Sequence, residues 1–503
     1  MTAVITDEGP LPRHSTVIVV GGGLAGLETA RGLEALGVDD VLVLEAGPAD
    51  DLRHVNQAYG PDLALRQWLL PDTDPYFRRP WSSANPPHFT GGSGIRRRLG
   101  GRSLYWYGVV LPMEPWALAE PWWPASVIKD LRETWCGGAS LYERTLARLE
   151  AWTGTGLVGR APSRPMGGVT LAPVPLAVRP GAGGRGRWSA YTPLDDWRDP
   201  RTGTALRTPV GVRIRTSAEV VRVAVRAGRA SGVVVRDTAN GVEREVGAEA
   251  VVLAAGTIAG TALAIEAMSE AGPQPVNQLG GLYDHMVQGF FVRLEGAVAA
   301  RTLEAFPPGS YYASYEPSCR SNVFVHVQHL LDGSVLVDVQ LTGEQLPSDG
   351  NRVECTRDAA GRWALVVHSR VTDADQEVLR AQQARLKALW DGFARDAGLM
   401  PSALTFGDFD SPARTNSFVL PESMNDVPAG IPMTWSGFIG TEDHEGGTLP
   451  LGRVLTERHE FRDVARLYAA GPATFPRMGA ANPSLTTLAL AHRLAAVLAG
   501  EYR

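Results

Sequence analysis

The sequence predicts an α/β fold: a unit with a parallel sheet joined to a second, α+β unit built on an antiparallel sheet. Three observations carry the prediction. Residues 16–20, TVIVV, are β-branched throughout and lead directly into the turn GGGLAG and a helical pattern, as a strand buried on both faces of a parallel sheet should. Residues 250–255 form a second small apolar strand that runs into Gly256. Beyond Leu279, amphipathic strand patterns at 321–329, 334–342 and 363–369 precede a long helical segment, with no further glycine fingerprint. That order is expected of a separate substrate-facing domain.

In the first unit, Gly21, Gly23 and Gly26 stand in the G-x-G-x-x-G spacing. Each missing side chain has a use: a tight turn, backbone approach to a pyrophosphate, and close helix-on-strand packing. Apolar residues recur at helical spacing over 24–36, so the free N–H groups of that helix's first turn point at whatever rests on the glycines. A second strand at 41–44 ends in Glu45, about 20 residues past the glycines, where a carboxylate can accept from both ribose hydroxyls. The complete βαβ unit is Rossmann-like and binds a dinucleotide. By itself it leaves open whether that is FAD or NAD.

Composition narrows the function classes. The 503 residues suggest two or three domain-sized units, and 44% apolar with 20% charged residues is ordinary for a globular protein. A net charge of -6 argues against a nucleic-acid surface, which needs local positive excess. The two lysines, Lys129 and Lys387, do not precede Ser or Thr, which excludes a Walker-type phosphate loop. Cys136, Cys319 and Cys355 are odd in number and far apart, supporting neither a disulfide framework nor a cysteine zinc site. The start, MTAVITDEGPLPRH, carries acids and prolines where a signal peptide would need a basic and then apolar run, so it reads as a loose leader. The longest uncharged stretch, 250–265, is too short for a bilayer and is broken by Gly256 and Gly260. A cytoplasmic, soluble protein with no membrane or nucleic-acid partner is expected.

In order along the chain, the Pro- and Trp-rich segment to about residue 89 reads as a surface excursion, and GGSGIRRRLGGRSLYWYG at 91–108 as a ligand-facing loop. Periodicity predicts one helix over 125–149, ending near Gly154. Residues 155–186 are rich in Pro and Gly and close on 187–197, RWSAYTPLDDW. Alternation over 212–237 predicts antiparallel hairpins turning at Ala227 and Gly228, after which 250–255 returns to the parallel sheet. Thr372 opens a long helix with Asp375 as the capping-box acid, reaching about residue 396. Residues 405–439 are mixed, and 486–498 form a terminal helix with an apolar face.

Among the ten histidines, His14, His54, His88, His326, His329, His368, His459 and His492 read as surface or satisfied core positions. His326 and His329 lie on opposite strand faces and make a poor metal pair. His444, in DHEGGTLPLG between Asp443 and a glycine pair, can present an imidazole into a cleft. Neither a G-x-S-x-G elbow nor an H-E-x-x-H helix occurs, leaving hydrolase and zincin readings without footing.

Five segments in order resemble the glucose–methanol–choline (GMC) flavoprotein oxidoreductases. TVIVVGGGLAGLETA with VLVLEAGP resembles the FAD fingerprint, and LGGRSLYWYG the second flavin-facing motif. QLGGLYDHM resembles the interdomain D-H segment and accounts for His285. HEGGTLPLG resembles the segment holding the active-site histidine, and FPRMGAANPSLTTLALAHRLA the terminal N-P-x-L-T helix. The resemblance implies non-covalent FAD, contacted by Gly21, Gly23, Leu24, Ala25, Gly26, Glu45 and Ala46 in the fingerprint. It adds Gly100, Gly101, Ser103, Leu104, Tyr105 and Trp106 in the second motif, then Val221, Ala255, Gly256, Gly471, Pro472, Asn482, Pro483 and Ser484. Tyr105 stands where some members attach flavin to a histidine, so covalent attachment there is not expected. The aspartate often found before the terminal F-P is here Gly471, a departure at one ribityl or phosphate contact.

The resemblance further implies oxidation of a primary or secondary small-molecule alcohol to the carbonyl. His444 is the base beside flavin N5, and Asn482 orients the substrate oxygen; the alcohol proton goes to imidazole while hydride leaves for the flavin, and O2 or another acceptor takes the electrons on. A sugar, sterol, aminoalcohol or secondary-metabolite alcohol all stay open. The arginine-bearing segment 185–197 favours a polar one. The domain plan it implies is FAD-binding at 1–160, 201–290 and 436–503, a substrate-side segment at 161–200 and a substrate-binding domain at 291–435. Three rivals stand beside it: a flavin-retaining lyase or decarboxylase on the same fold, an NAD(P)-dependent dehydrogenase, and a binding or scaffold protein.

Overall fold

The parallel sheet predicted from the glycine turn is present as part of a mixed sheet with strand order Val212–Arg215, Val41–Leu44, His14–Val20, Glu243–Leu253, Arg229–Asp237, Ala218–Arg226, the last two antiparallel, and Leu467–Ala469 pairing on Glu243–Leu253. The computed structural model describes residues 11–60, 70–159, 161–181, 186–197, 211–330, 332–357, 363–407 and 428–502. Residues 1–10 of the expected leader, Arg185 and part of the mixed stretch 405–439 lie outside these.

The central strand reads as the sequence demands: Val17, Ile18 and Val19 are fully buried between parallel neighbours on both sides. Each such side chain contributes about 1.5–3 kcal/mol on burial. Helix Leu24–Ala35 follows at once, and the terminal helix Ser484–Tyr502 lies against it. Gly32 makes that crossing close, since a Cβ there would stand 2.6 Å from the Ala495 methyl.

Two expectations are corrected. The helix predicted over 125–149 is two helices, Ala125–Arg132 and Leu141–Thr153. Cys136 and Gly137 take positive φ between them, and Ser140 with Glu143 forms a capping box that starts the second helix. The antiparallel arrangement expected over 212–237 holds only for Ala218–Arg226 with Arg229–Asp237. Val212–Arg215 instead pairs parallel with Val41–Leu44. Ser217, at φ +53°, turns the chain between the two.

The second unit is a seven-stranded sheet ordered Met433–Ser436, His285–Leu294, Val335–Glu344, Ser321–His329, Gly309–Glu316, Val169–Pro173, Arg164–Met166, antiparallel throughout. Strand His285–Leu294 runs across residue 290 wholly inside this sheet. Period-two alternation gives the sheet two characters. Phe290, Val292, Val325, Val337 and Val339 pack on Leu386 and Trp390 of helix Asp373–Ala397, which opens on the expected Thr372 and Asp375 capping box. The other face carries His285, Asn322 and Glu344, all bonded to residues of other segments. A smaller four-stranded sheet joins Gln278–Gly280, Arg352–Arg357, Trp363–His368 and Ser82–Ser83.

Candidate active site

A cavity of about 970 Å³ opens at the carboxyl ends of the parallel strands, at Val20, Leu44 and Ala254, where open α/β sheets bind ligands. Of the residues expected to contact flavin, Gly21, Gly23, Leu24, Ala25, Glu45, Ala46, Gly101, Ser103, Trp106, Val221, Ala255, Gly256, Gly471, Pro472, Pro483 and Ser484 line it, and so does His444. Gly26, Gly100, Leu104, Tyr105 and Asn482 are not on its wall. Leu104 and Tyr105 are buried with Val55 and Tyr59 instead.

Two glycines of the turn have steric roles within the protein. Gly21 sits at φ +109°, and a Cβ on it would lie 2.5 Å from the Ala254 carbonyl oxygen. A Cβ on Gly26 would lie 2.0 Å from the Gly21 carbonyl oxygen, so helix and turn touch there. Gly23 differs: a Cβ on it would meet no atom of the described residues within 4 Å, and it caps the helix facing the cavity. Glu45 accepts the N–H of Gly22 at 2.8 Å and of Gly47 at 2.7 Å. Burial pushes its carboxyl up to about 7, against those two donors. A carboxylate has about four lone-pair sites, so acceptor capacity is left on the cavity wall. An exposed helix N-terminus, a glycine that a side chain would obstruct only for a ligand, and a spare buried acceptor together fit a dinucleotide.

Three segments distant in sequence meet around His444. His444 Nε2 lies 3.4 Å from the Asn482 amide nitrogen, and the Asn482 Oδ1 is buried with no hydrogen-bond partner among the described residues. On its other side His444 Nδ1 lies 2.8 Å from His285 Nδ1, with the rings nearly perpendicular at 86°. His285 Nε2 in turn bonds the Gly479 carbonyl oxygen at 3.0 Å. Burial, with His285 and Arg102 nearby, holds the His444 pKa well below 6.5, so the ring is neutral near pH 7.

Buried carboxylates fix these segments; Asp284 stands in the D-H segment, and no sequence motif announced Glu344 or Glu114. Fully buried Asp284 accepts the N–H groups of His285 at 2.8 Å, His444 at 3.1 Å and Gly440 at 2.7 Å. Glu344 accepts the Gly479 N–H at 3.0 Å and takes Arg477 in a fork at 2.6 and 2.8 Å. Glu114 accepts the Ala480 N–H at 3.0 Å. Arg102, inside the second motif, bonds Glu445 at 2.8 Å and Asp443 at 3.0 Å, tying that loop to the His444 segment. The glycine pair after His444 serves packing: a Cβ on Gly447 would stand 2.2 Å from the Gly281 carbonyl oxygen.

The family model described as GMC oxidoreductase matches residues 347–491, the stretch carrying His444 and Asn482. That match makes this stretch a GMC oxidoreductase domain. A second model, described as an FAD binding domain, matches residues 143–325; this span takes in the strands of the parallel sheet from Val212 to Leu253, though not the glycine turn. FAD is the cofactor. A crystal structure of pyridoxine 4-oxidase from Mesorbium loti is similar at 17% identity and a TM-score of 0.58, covering 96% of this chain and 99% of that one. A formate oxidase of Aspergillus oryzae RIB40 is similar at 14% identity and a TM-score of 0.61, covering 98% and 99%. At such identities the likeness is one of fold. A comparison with curated protein sequences gave no match. Among the described residues no helix is long and apolar enough to cross a membrane.

Proposed function

We propose that this FAD oxidoreductase oxidises a primary or secondary alcohol of a small molecule to the aldehyde or ketone, with His444 as base. The observation that carries the reading is the neutral His444 ring at the cavity wall with Nε2 turned toward the Asn482 amide. FAD, when bound, supplies the acceptor for the two electrons and the hydrogen on carbon. The residues do the rest. His444 Nε2 takes the hydroxyl proton, which general-base catalysis makes worth about 10²–10⁴ in rate. Asn482, whose buried Oδ1 lacks a partner among the described residues, hydrogen-bonds the same oxygen and holds its carbon in place. Asp284, Glu344 and Glu114 keep both groups in register by binding the backbone on either side. O2 or another acceptor completes the cycle.

Anaerobic addition of alcohols to the purified holoenzyme tests this. Substrate-dependent bleaching of the flavin supports it. A flavin that stays oxidised while substrate is consumed would favour a lyase or decarboxylase on the same fold. Protein that releases no flavin on denaturation would favour a nicotinamide-dependent enzyme.

A further inference from the structure

We propose that His285 is a positioning residue which fixes the tautomer of His444, leaving the lone pair of the base on Nε2. The inference rests on the reading of His444 as base and goes beyond it, because it says which residue makes that nitrogen available.

The Gly479 oxygen can only accept, so His285 Nε2, 3.0 Å away, carries the hydrogen. His285 is 2% exposed, and burial pushes its pKa down to about 4, so the ring is neutral and has one N–H. Its Nδ1 is therefore a bare acceptor. His444 Nδ1 lies 2.8 Å from it, and of two nitrogens at that distance one must donate. The donor is His444. A neutral His444 with hydrogen on Nδ1 has none on Nε2, the nitrogen facing Asn482. The hydrogen bond made by one ring nitrogen thus sets the state of the other. The opposite tautomer would point an N–H at the substrate hydroxyl and could not take its proton.

The first carbonyl is itself held. Gly479 sits at φ +74°, and a Cβ there would fall 2.4 Å from Glu114 Oε2. Its N–H donates to Glu344 Oε1, and Glu344 is anchored by Arg477 and by Arg320 at 2.6 Å. Asp284 binds the backbone of both histidines. The relay runs from Glu344 through Gly479 and His285 to His444, and each member depends on the one before.

The test uses holoenzyme with ¹⁵N-labelled histidine. The His444 signal is assigned by its loss in His444→Ala, and its tautomer is read by NMR near pH 7. Hydrogen on Nδ1 is expected, and hydrogen on Nε2 in the parent would overturn the proposal whatever the variants do. His285→Phe keeps a planar ring and removes the acceptor. It should keep parental flavin content, shift His444 toward the Nε2–H form and slow flavin reduction about tenfold or more. His285→Asn, which can place its Oδ1 near the former Nδ1, should recover part of that rate. A His285→Phe variant with bound flavin, a parental rate and an unshifted tautomer would overturn it. So would equal slowing of both variants with matching loss of flavin, which marks a merely structural role. If His444→Ala reduces flavin normally while the tautomer stands as expected, the base assignment fails and the tautomer result does not.

Discussion

Asp284 Oδ1 accepts the backbone N–H of its own neighbour His285 at 2.8 Å and that of His444 at 3.1 Å. One buried carboxylate therefore sets the spacing of two imidazoles that are 159 residues apart in sequence. Burial and the nearby Glu445 and Glu442 push its proton affinity up, and the backbone donors oppose them.

Removing that acceptor strands buried N–H groups, each costing about 1–3 kcal/mol. Asp284→Ala is expected to lose about 3 kcal/mol or more of stability, read by denaturant unfolding of the holoenzyme. A loss under 1 kcal/mol would show that the loop holds itself.

Gly23 offers a cleaner test of the dinucleotide site than most glycines, since a Cβ added there meets no atom of the described residues within 4 Å. Gly23→Val should fold with parental circular dichroism and purify with little or no flavin. Full occupancy by absorbance would mean that the glycine turn does not face the cofactor.

Glu344 is fully buried between two arginines. Breaking one side of a buried ion pair costs about 3–5 kcal/mol. Glu344→Leu should lower stability by that order and slow flavin reduction, because Gly479 loses its acceptor. Parental reduction kinetics in a folded variant would detach Gly479 from the site.

The buried neutral histidines predict an acid limit. His285 has its pKa pushed down to about 4 and His459 to about 3, both by burial. Between these values and 6.5 the unfolded chain binds more protons than the folded one, so stability falls as pH falls through that window. At pH 5 each accounts for about 2 kcal/mol of the loss. Urea midpoints at pH 7 and pH 5 check this; unchanged midpoints would contradict it.

What the sequence made legible was local. The βαβ unit could be read because strand, glycines, helix and Glu45 are contiguous, and Gly21 and Gly26 each have one steric task. The Thr372 and Asp375 capping box marked the long helix for the same reason. An S-x-x-E box at Ser140 and Glu143 was equally present, but lay inside a continuous periodicity that read as one helix. His444 and Asn482 were legible through short motifs. Their supports were not, because contacts between distant segments define them: Arg102 with Glu445, and Glu114 with the Ala480 N–H, join residues 343 and 366 positions apart. The strand Gly309–Glu316 gave no clear period-two signal, and its place is fixed by pairing with Ser321–His329.

Anaerobic stopped-flow flavin reduction over a panel of alcohols, comparing parent with His444→Ala, tests the central claim most directly. The parent should bleach with at least one primary or secondary alcohol, and His444→Ala should hold its flavin while reducing it about a hundredfold more slowly. Reduction of the two at the same rate would contradict the assignment of His444 as base.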